Sequence, residues 1–216
     1  MPDLDSFLED LAHTPWIGNA RQLETSRARG EIDVRGGTPL KGKLESVIGY
    51  PDRMCVTIDT GPIKIRQILN GGNSWIVQNN TVIAANPNVV KTLRNNLFHN
   101  LNNLYRFLTD PANREKLSLK ADNGHQVVSI DRGGETSDVV FDADLRIREV
   151  VFQSAAANGE MADNRISYEE FREWDGLLYP GVVAVSKDGQ PLSTIVHSGY
   201  EANVDVPSQV FEKPAR

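Results

Sequence analysis

The residues best suited to acid–base or metal chemistry are the four histidines, and their spacing argues against both. His13, His99, His125 and His197 have no second His, Cys or carboxylate at a metal-ligand spacing. His197 precedes Ser198 in a predicted strand, but neighbouring strand residues point to opposite faces of a sheet, so the two cannot form a base–nucleophile pair. His99 lies in a predicted helix among polar residues, where a solvated histidine is expected. We therefore predict no metal site and no serine-type catalytic site.

Carboxylates are plentiful, but their positions indicate surface and turn roles. Glu169, Glu170 and Glu173 lie on a predicted strand with one solvated side. Asp142 and Asp144 bracket a tight turn, where aspartate is favoured because its side chain accepts bonds from nearby backbone amides. The glycine pairs lie between strands with no following helix, so they lack the context of a phosphate-binding loop. The sequence predicts no catalytic residue and no cofactor, and we expect a protein that is not an enzyme.

The composition is that of a folded protein with an acidic balance. Its 216 residues are 39% hydrophobic and 24% charged, which is enough for one substantial core, and we predict a single domain over residues 1–216. A net charge of -6 and a pI near 5.3 argue against a nucleic-acid partner or an anionic membrane surface. The single cysteine, Cys55, cannot form an internal disulfide and is predicted to be a small buried strand residue.

Two stretches of the chain have the period-two pattern of β-strands. From Ala28 to Ala84, short alternating segments are separated by Gly, Pro and Asn turn signals. The pattern resumes at Leu117 and continues to Val204. Connections this short exclude crossover helices, so the sheet is predicted to be antiparallel.

Between the two stretches the hydrophobic period changes to that of a helix. After Asn86 and Pro87, apolar residues recur every three or four positions: Val89, Val90, Leu93, Leu97, Leu101, Leu104, Phe107 and Leu108. We predict one helix of about five turns over residues 88–108, inserted between two halves of one sheet and packed on it. Its other face carries asparagines: Asn95, Asn96, Asn100, Asn102 and Asn103.

The last fifty residues predict an antiparallel meander. The run from Ile166 to Pro180 is interrupted by Asp175-Gly176, a second strand follows, and Asp188-Gly189 reverses the chain again. Phe211-Glu-Lys-Pro214 closes the pattern. These residues resemble the I-S-Y-x-x-[FY]-R-x-x-D-G-x-x-[YF]-P … D-G … F-x-x-P ending of the periplasmic lipoprotein carriers and outer-membrane lipoprotein-sorting proteins.

The resemblance implies a fold and a role. About eleven strands would twist and curl, and the resemblance favours a mainly β fold with α-helices: a curved antiparallel half-barrel of about eleven strands with helices covering its concave face. It also implies a carrier or chaperone for a lipid, a lipoprotein acyl chain or another apolar ligand. The alternative is a structural or interaction module of a cell-envelope protein, built on the same sheet with a packed interior and engaging envelope proteins.

The predicted ligand-lining residues are aromatic and aliphatic side chains of the strands and of the long helix. An ordinary filled core is the competing interpretation for each of them taken singly. They are Trp75, Leu97, Leu101, Leu104, Tyr105, Phe141, Phe152, Tyr168 and Trp174.

The amino terminus shows no secretory leader, since Met1-Pro-Asp-Leu-Asp begins acidic and lacks an apolar stretch. Two interpretations follow: a cytoplasmic protein, or a mature segment of a protein that works outside the cytoplasm. The resemblance favours the second, and the prediction is a periplasmic or otherwise extracytoplasmic location.

Overall fold

The protein is built on one antiparallel sheet of thirteen strands, in a computed structural model that describes residues 3–36, 39–155, 161–174 and 176–214. The strands are β1 (Thr25–Val34), β2 (Leu40–Gly49), β3 (Arg53–Asp59), β4 (Lys64–Asn70), β5 (Asn73–Gln78), β6 (Thr81–Ala84), β7 (Leu117–Asp122), β8 (His125–Asp131), β9 (Thr136–Phe141), β10 (Ile147–Ala155), β11 (Met161–Trp174), β12 (Leu177–Lys187) and β13 (Gln190–Ala202). The sheet is not closed, because β6 and β7 are its two edges.

The strand order explains how the two halves of the chain combine. The order is β6-β5-β4-β3-β2-β1-β13-β12-β11-β10-β9-β8-β7, so each half is a meander and the halves join where β1 pairs with β13. The helical insertion between β6 and β7 therefore connects opposite edges of the sheet, as the change of period predicted. The prediction of about eleven strands was too low. β6 is short and β7 is mostly polar, with only two leucines. Neither shows enough hydrophobic alternation to be recognised as a strand from the sequence.

Strict alternation gives the sheet two different faces. In β1, Ser26 and Ala28 are buried on the face that the helices contact, while Arg29 and Glu31 are exposed on the other. We call these the helix-side face and the outer face. The period of two therefore separates apolar from charged side chains over most of β1.

Four α-helices occur in the described ranges: α1 (Leu4–Ala12), α2 (Pro15–Gln22), α3 (Pro87–Phe98) and α4 (Leu101–Leu108). The prediction of one continuous helix over residues 88–108 was wrong, because the helix is interrupted at His99 and Asn100. Asn100 has extended backbone angles, and its side chain accepts a bond from the Asn102 amide, which makes it the N-cap of α4. The apolar stripe continues through the break, so its period alone did not show the interruption.

In the part of the chain that the structure describes, buried apolar residues form three clusters, two on the helix-side face and one on the outer face. The main core packs α1, α2 and α4 against strands from β1 around to β7, and a smaller core packs Leu93 and Leu97 of α3 on β2, β3 and β4. The third cluster lies on the outer face, where Phe211 covers Val47, Cys55 and Ile68. The buried strand position predicted for Cys55 is confirmed.

Two arginines tie α2 and α4 together by capping each other's helix. Arg21, in the last turn of α2, donates to the carbonyl of Thr109 at the end of α4, at 2.7 Å. Arg106, in the last turn of α4, donates to the carbonyls of Ala20 and Leu23, at 3.2 and 2.9 Å. Each cation satisfies carbonyls that have no partner within their own helix and lies at the negative end of a helix dipole.

We expect Arg106→Ala to lower the free energy of unfolding by about 2 to 3 kcal/mol, because the carbonyls at the end of α2 lose a charged donor. The control is Arg94→Ala, which removes an exposed arginine from α3 and should change stability by less than about 0.5 kcal/mol. Urea unfolding of both variants measures the difference. Equal stability of the two variants would show that the reciprocal caps contribute nothing.

Candidate functional site

The predicted ligand-lining residues occupy three different places. Tyr105, Phe141 and Tyr168 lie with Leu101 and Leu104 inside the main core, all of them buried. Phe152 and Trp174 pack partly buried against that core, and Leu97 belongs to the α3 cluster. The sequence thus identified several side chains that come together, most of them at positions sealed by neighbouring atoms. Contact with a ligand stays a prediction for all of them.

Trp75 lies apart from the other predicted residues. It pairs with Ile68 in β4 and packs on the outer-face cluster around Phe211, whereas its neighbour Ser74 is on the helix-side face. The sequence located the strand correctly, but not which of its two faces meets the helices. Which face a strand residue occupies depends on the register of strand pairing, and the hydrophobic period does not give that register.

A buried polar seam joins α4 to the sheet, in place of the open asparagine face expected from the sequence. Asn102 donates to the hydroxyls of Tyr50 and Tyr200, at 3.0 and 2.8 Å, and Tyr50 shares a 2.9 Å hydrogen bond with Ser26. Asn103 donates to the Leu97 carbonyl at 2.8 Å. Asn102 and Asn103 are therefore buried because their amides find partners, which offsets the cost of desolvation.

His99 is buried at the break between α3 and α4, which corrects the prediction of a solvated helix-face histidine. Its ring stacks on Phe152 with centroids 3.9 Å apart, and Nε2 lies 2.9 Å from Ser137 Oγ. Burial, helped by the positive charge of Arg132, lowers the pKa of His99 to about 3. The imidazole is thus neutral at ordinary pH and acts as a packing residue.

The carboxylates behave as predicted wherever the described chain includes them. Asp142 Oδ1 accepts from the backbone amides of Asp144 and Arg146, at 3.0 and 2.9 Å, which makes it a turn residue. Glu169 and Glu173 are exposed. No group of three or more His, Cys, Asp or Glu side chains able to hold a metal ion occurs in the ranges the structure describes. The predicted turn residue Asp175 lies outside those ranges.

An apolar strip crosses the helix-side face, in sheet order from β4 to β11. Cross-strand pairs connect its members in three groups that adjoin one another on this face, and most of the members are half-buried. The residues of the apolar strip are Ile65, Ile58, Leu44, Ile32, Ile195, Val183, Val185 and Ile166. Val183 and Ile166 adjoin the main core, whereas Ile58, Ile65 and Ile195 belong to none of the core clusters found in the described residues. The strip is therefore an extension of the core that the helices leave partly uncovered.

Sequence reasoning missed the apolar strip although each member lies in a predicted strand. Leu44, for example, stands between Lys43 and Glu45 in a clean alternation. The signal was the alternation itself, but only the register shows that Leu44 faces Ile58 across the strand pair. The prediction favoured aromatic and aliphatic residues at other positions, and most of those residues belong to the packed main core or its border.

Two concavities of about 740 and 590 Å³ lie on the outer face, over β1, β2, β3 and β13. Their shared walls include Glu31, Lys43, Asp59 and the exposed Val196. Charged side chains of both signs dominate their linings, which also include Ile32 and Leu44 of the apolar strip and, in the smaller one, His197. No helix in the described residues has the length and hydropathy needed to cross a membrane.

Comparison with known proteins identifies the fold. No protein-family model matches the chain, and no curated protein matches it. Among solved structures, a DUF1329 family protein from Desulfovibrio piger aligns with a TM-score of 0.64 at 11% identity, over 98% of this chain and 98% of its own. A LolA superfamily protein from Nitrosomonas europaea aligns with a TM-score of 0.59 at 12% identity, over 99% of both chains.

A third structure, of a Vibrio parahaemolyticus domain described as an outer membrane lipoprotein-sorting protein, aligns with a TM-score of 0.55 at 11% identity. It covers 96% of this chain and 94% of its own. The resemblance stated from the sequence is thus confirmed at the level of fold. At this identity the likeness concerns the fold alone.

We expect Leu104→Ala to destabilise the protein by about 2 to 5 kcal/mol, since Leu104 is 0% exposed in the main core and its truncation leaves a cavity. Ile58→Ala, in the apolar strip, should cost only about 1 kcal/mol, because its side chain is partly in water already. Denaturant unfolding measures both changes. Similar losses at the two positions would place the strip inside the sealed core.

His99 predicts a specific pH dependence. Because its pKa is near 3 in the folded protein and 6.5 in the reference state, the unfolded chain binds more protons between these values. Its contribution to stability is present above pH 6.5 and is lost as pH falls towards 3, by about 2 kcal/mol between pH 7 and pH 5. His99→Gln should lose less stability over this interval than the parent. Parallel curves for parent and variant would contradict the assignment.

Proposed function

We propose that the protein is a non-enzymatic, extracytoplasmic carrier or chaperone whose single domain holds an apolar chain, such as a lipid or lipoprotein acyl chain, on a curved half-barrel. The observation that carries this proposal is the apolar strip on the helix-side face. The fold shared with a LolA superfamily protein and a lipoprotein-sorting domain supports the class of ligand and the periplasmic location.

The contacts of α4 support strong curvature of the sheet. Asn102 reaches Tyr50 beside β2 and Tyr200 in β13, while Tyr105 accepts from the Ile147 amide in β10, at 3.1 Å. Residues three apart on a helix are separated by about 4.5 Å along its axis. In a flat sheet, β2 and β10 would be about 24 Å apart, at roughly 4.8 Å per strand. A concave sheet wrapped around α4 brings both within reach of one helical turn.

The chemistry of the apolar strip favours alkyl chains. Its side chains are branched aliphatics, and the positions between them on this face include Gly30 and Gly42, which have no side chain. Burial of a methylene group contributes about 0.8 kcal/mol, so a long chain gains affinity without any charged contact. Net charge of -6 does not help to bind an anionic headgroup, which leaves apolar burial as the driving force.

The interaction module remains the second candidate, and a specific observation favours it. Leu101, Leu104, Tyr105 and Phe141 are each no more than 2% exposed, so packed side chains occupy the region under α4. A ligand carried on the apolar strip alone would be enclosed on fewer sides than one in a deep pocket. The two candidates differ in a measurable property, which is the binding of a free alkyl probe.

The test compares two adjacent residues on opposite faces of β13. Ile195→Lys places a cation in the apolar strip, and it should weaken binding of a fluorescent fatty-acid probe at least about tenfold, because the ion loses hydration without a partner. Val196→Lys, at an outer-face position that is 47% exposed, should leave binding unchanged. Binding to the parent should vary little with salt. A folded, ligand-free parent that binds no alkyl probe would establish the interaction module instead.

A further inference from the structure

His197 is a buried histidine at the border of the apolar strip. It lies in β13, two residues after Ile195, and is 5% exposed. Its ring centroid is 5.3 Å from that of Tyr179, which stacks on Tyr200 in the main core, so the imidazole is on the helix-side face. The residue opposite in β1 is Gly30, which presents no side chain to cover it.

One hydrogen bond determines which ring nitrogen carries the proton. Nδ1 lies 2.9 Å from the Pro180 carbonyl oxygen, and because a carbonyl only accepts, Nδ1 must be the donor. Burial lowers the pKa of His197, partly opposed by this same hydrogen bond, so the ring is neutral at ordinary pH. Nε2 therefore keeps its lone pair and is an acceptor.

The lone pair of Nε2 has no hydrogen-bond donor among the residues that the structure describes. Within the described residues Nε2 makes no hydrogen bond, and it is not among the nitrogens sealed from solvent, in contrast to Nδ1 of His99. Its neighbours on this face include the aromatic ring of Tyr179, the backbone of Gly30, which pairs with it, and Ile195 two residues earlier in β13. A single acceptor in such surroundings favours a ligand that donates a hydrogen bond to it, because an unpaired polar group there costs free energy.

We infer that Nε2 of His197 is the polar recognition point of the apolar strip and that the ligand is a neutral amphiphile whose polar end donates an N–H or O–H hydrogen bond. This inference rests on the proposed carrier function. A primary amide or an alcohol on an alkyl chain satisfies the lone pair. An ester or a carboxylate offers only acceptors, leaves the lone pair without a donor and binds through its alkyl chain alone.

The experiment compares two fluorescent probes with the same alkyl chain, one ending in a primary amide and the other in a methyl ester. The parent should bind the amide about fivefold more tightly, the discrimination expected of one neutral hydrogen bond. His197→Phe keeps an aromatic ring beside Tyr179 and should abolish the preference while retaining ester binding. His125→Phe, at an exposed position of β8, is the matched control and should keep the preference.

The outcomes separate this inference from the proposed function. If the parent binds neither probe, the carrier function is wrong, and this inference with it. If it binds both equally, or if His197→Phe keeps the preference, only the role of His197 is overturned. Nitrogen-15 NMR of histidine-labelled parent protein gives an answer that needs no variant. The Nε2 resonance should be that of an unprotonated nitrogen and should shift on addition of the amide but not the ester. A shift with both probes, or with neither, would contradict the proposal.

Discussion

The hydrogen bonds between the asparagines of α4 and the tyrosines of the sheet are the constraint on which the rest of the structure depends. Asn102 is buried, and its amide is satisfied only because Tyr50 and Tyr200 lie on either side of it. One helix turn later the Tyr105 hydroxyl accepts from the backbone of β10. Apolar packing tolerates small rotations of a helix, but a buried amide without its partners costs free energy that packing does not restore. These contacts therefore fix the orientation of α4 and, through the arginine caps, of α2 as well.

The tyrosines of the seam and of the neighbouring core stay uncharged over a wide pH range. The chain has five tyrosines, and all of them are buried, Tyr105 in α4 and the other four on or beside the helix-side face of the sheet. Burial raises the pKa of Tyr50, Tyr168, Tyr179 and Tyr200, so the hydroxyls remain protonated and keep their hydrogen bonds. Tyr168 uses its hydroxyl to bind the His99 carbonyl at the break between α3 and α4. The tyrosine hydroxyls and asparagine amides in this interior thus serve geometry and stay uncharged at ordinary pH.

Much of this architecture could be predicted from the sequence, and the failures have a common cause. Alternation and turn residues give the strands, and the change of period at Pro87 gives the helical insertion, because both are local properties. The break at Asn100, the burial of Asn102 and His99 and the outward face of Trp75 depend on partners distant in sequence. A polar side chain is buried when a particular tyrosine or serine lies opposite, and one sequence does not reveal which one does. The apolar strip was missed for the same reason, since register decides which aliphatic residues become neighbours.

The uncovered strip follows from a mismatch in size between the helices and the sheet. Thirteen strands at about 4.8 Å spacing measure roughly 58 Å around the sheet, whereas α3 and α4, with 12 and 8 residues, are about 18 and 12 Å long. Side chains such as Leu93 and Leu104 cover only the part of the sheet that lies beneath their own helix. Half-buried aliphatic residues outside that part of the sheet remain in contact with water. An alkyl chain bound against them would displace this water. The hydrophobic effect that folds the core under α4 is therefore the same one that the proposed carrier would use to bind, and His197 stands where the two regions meet.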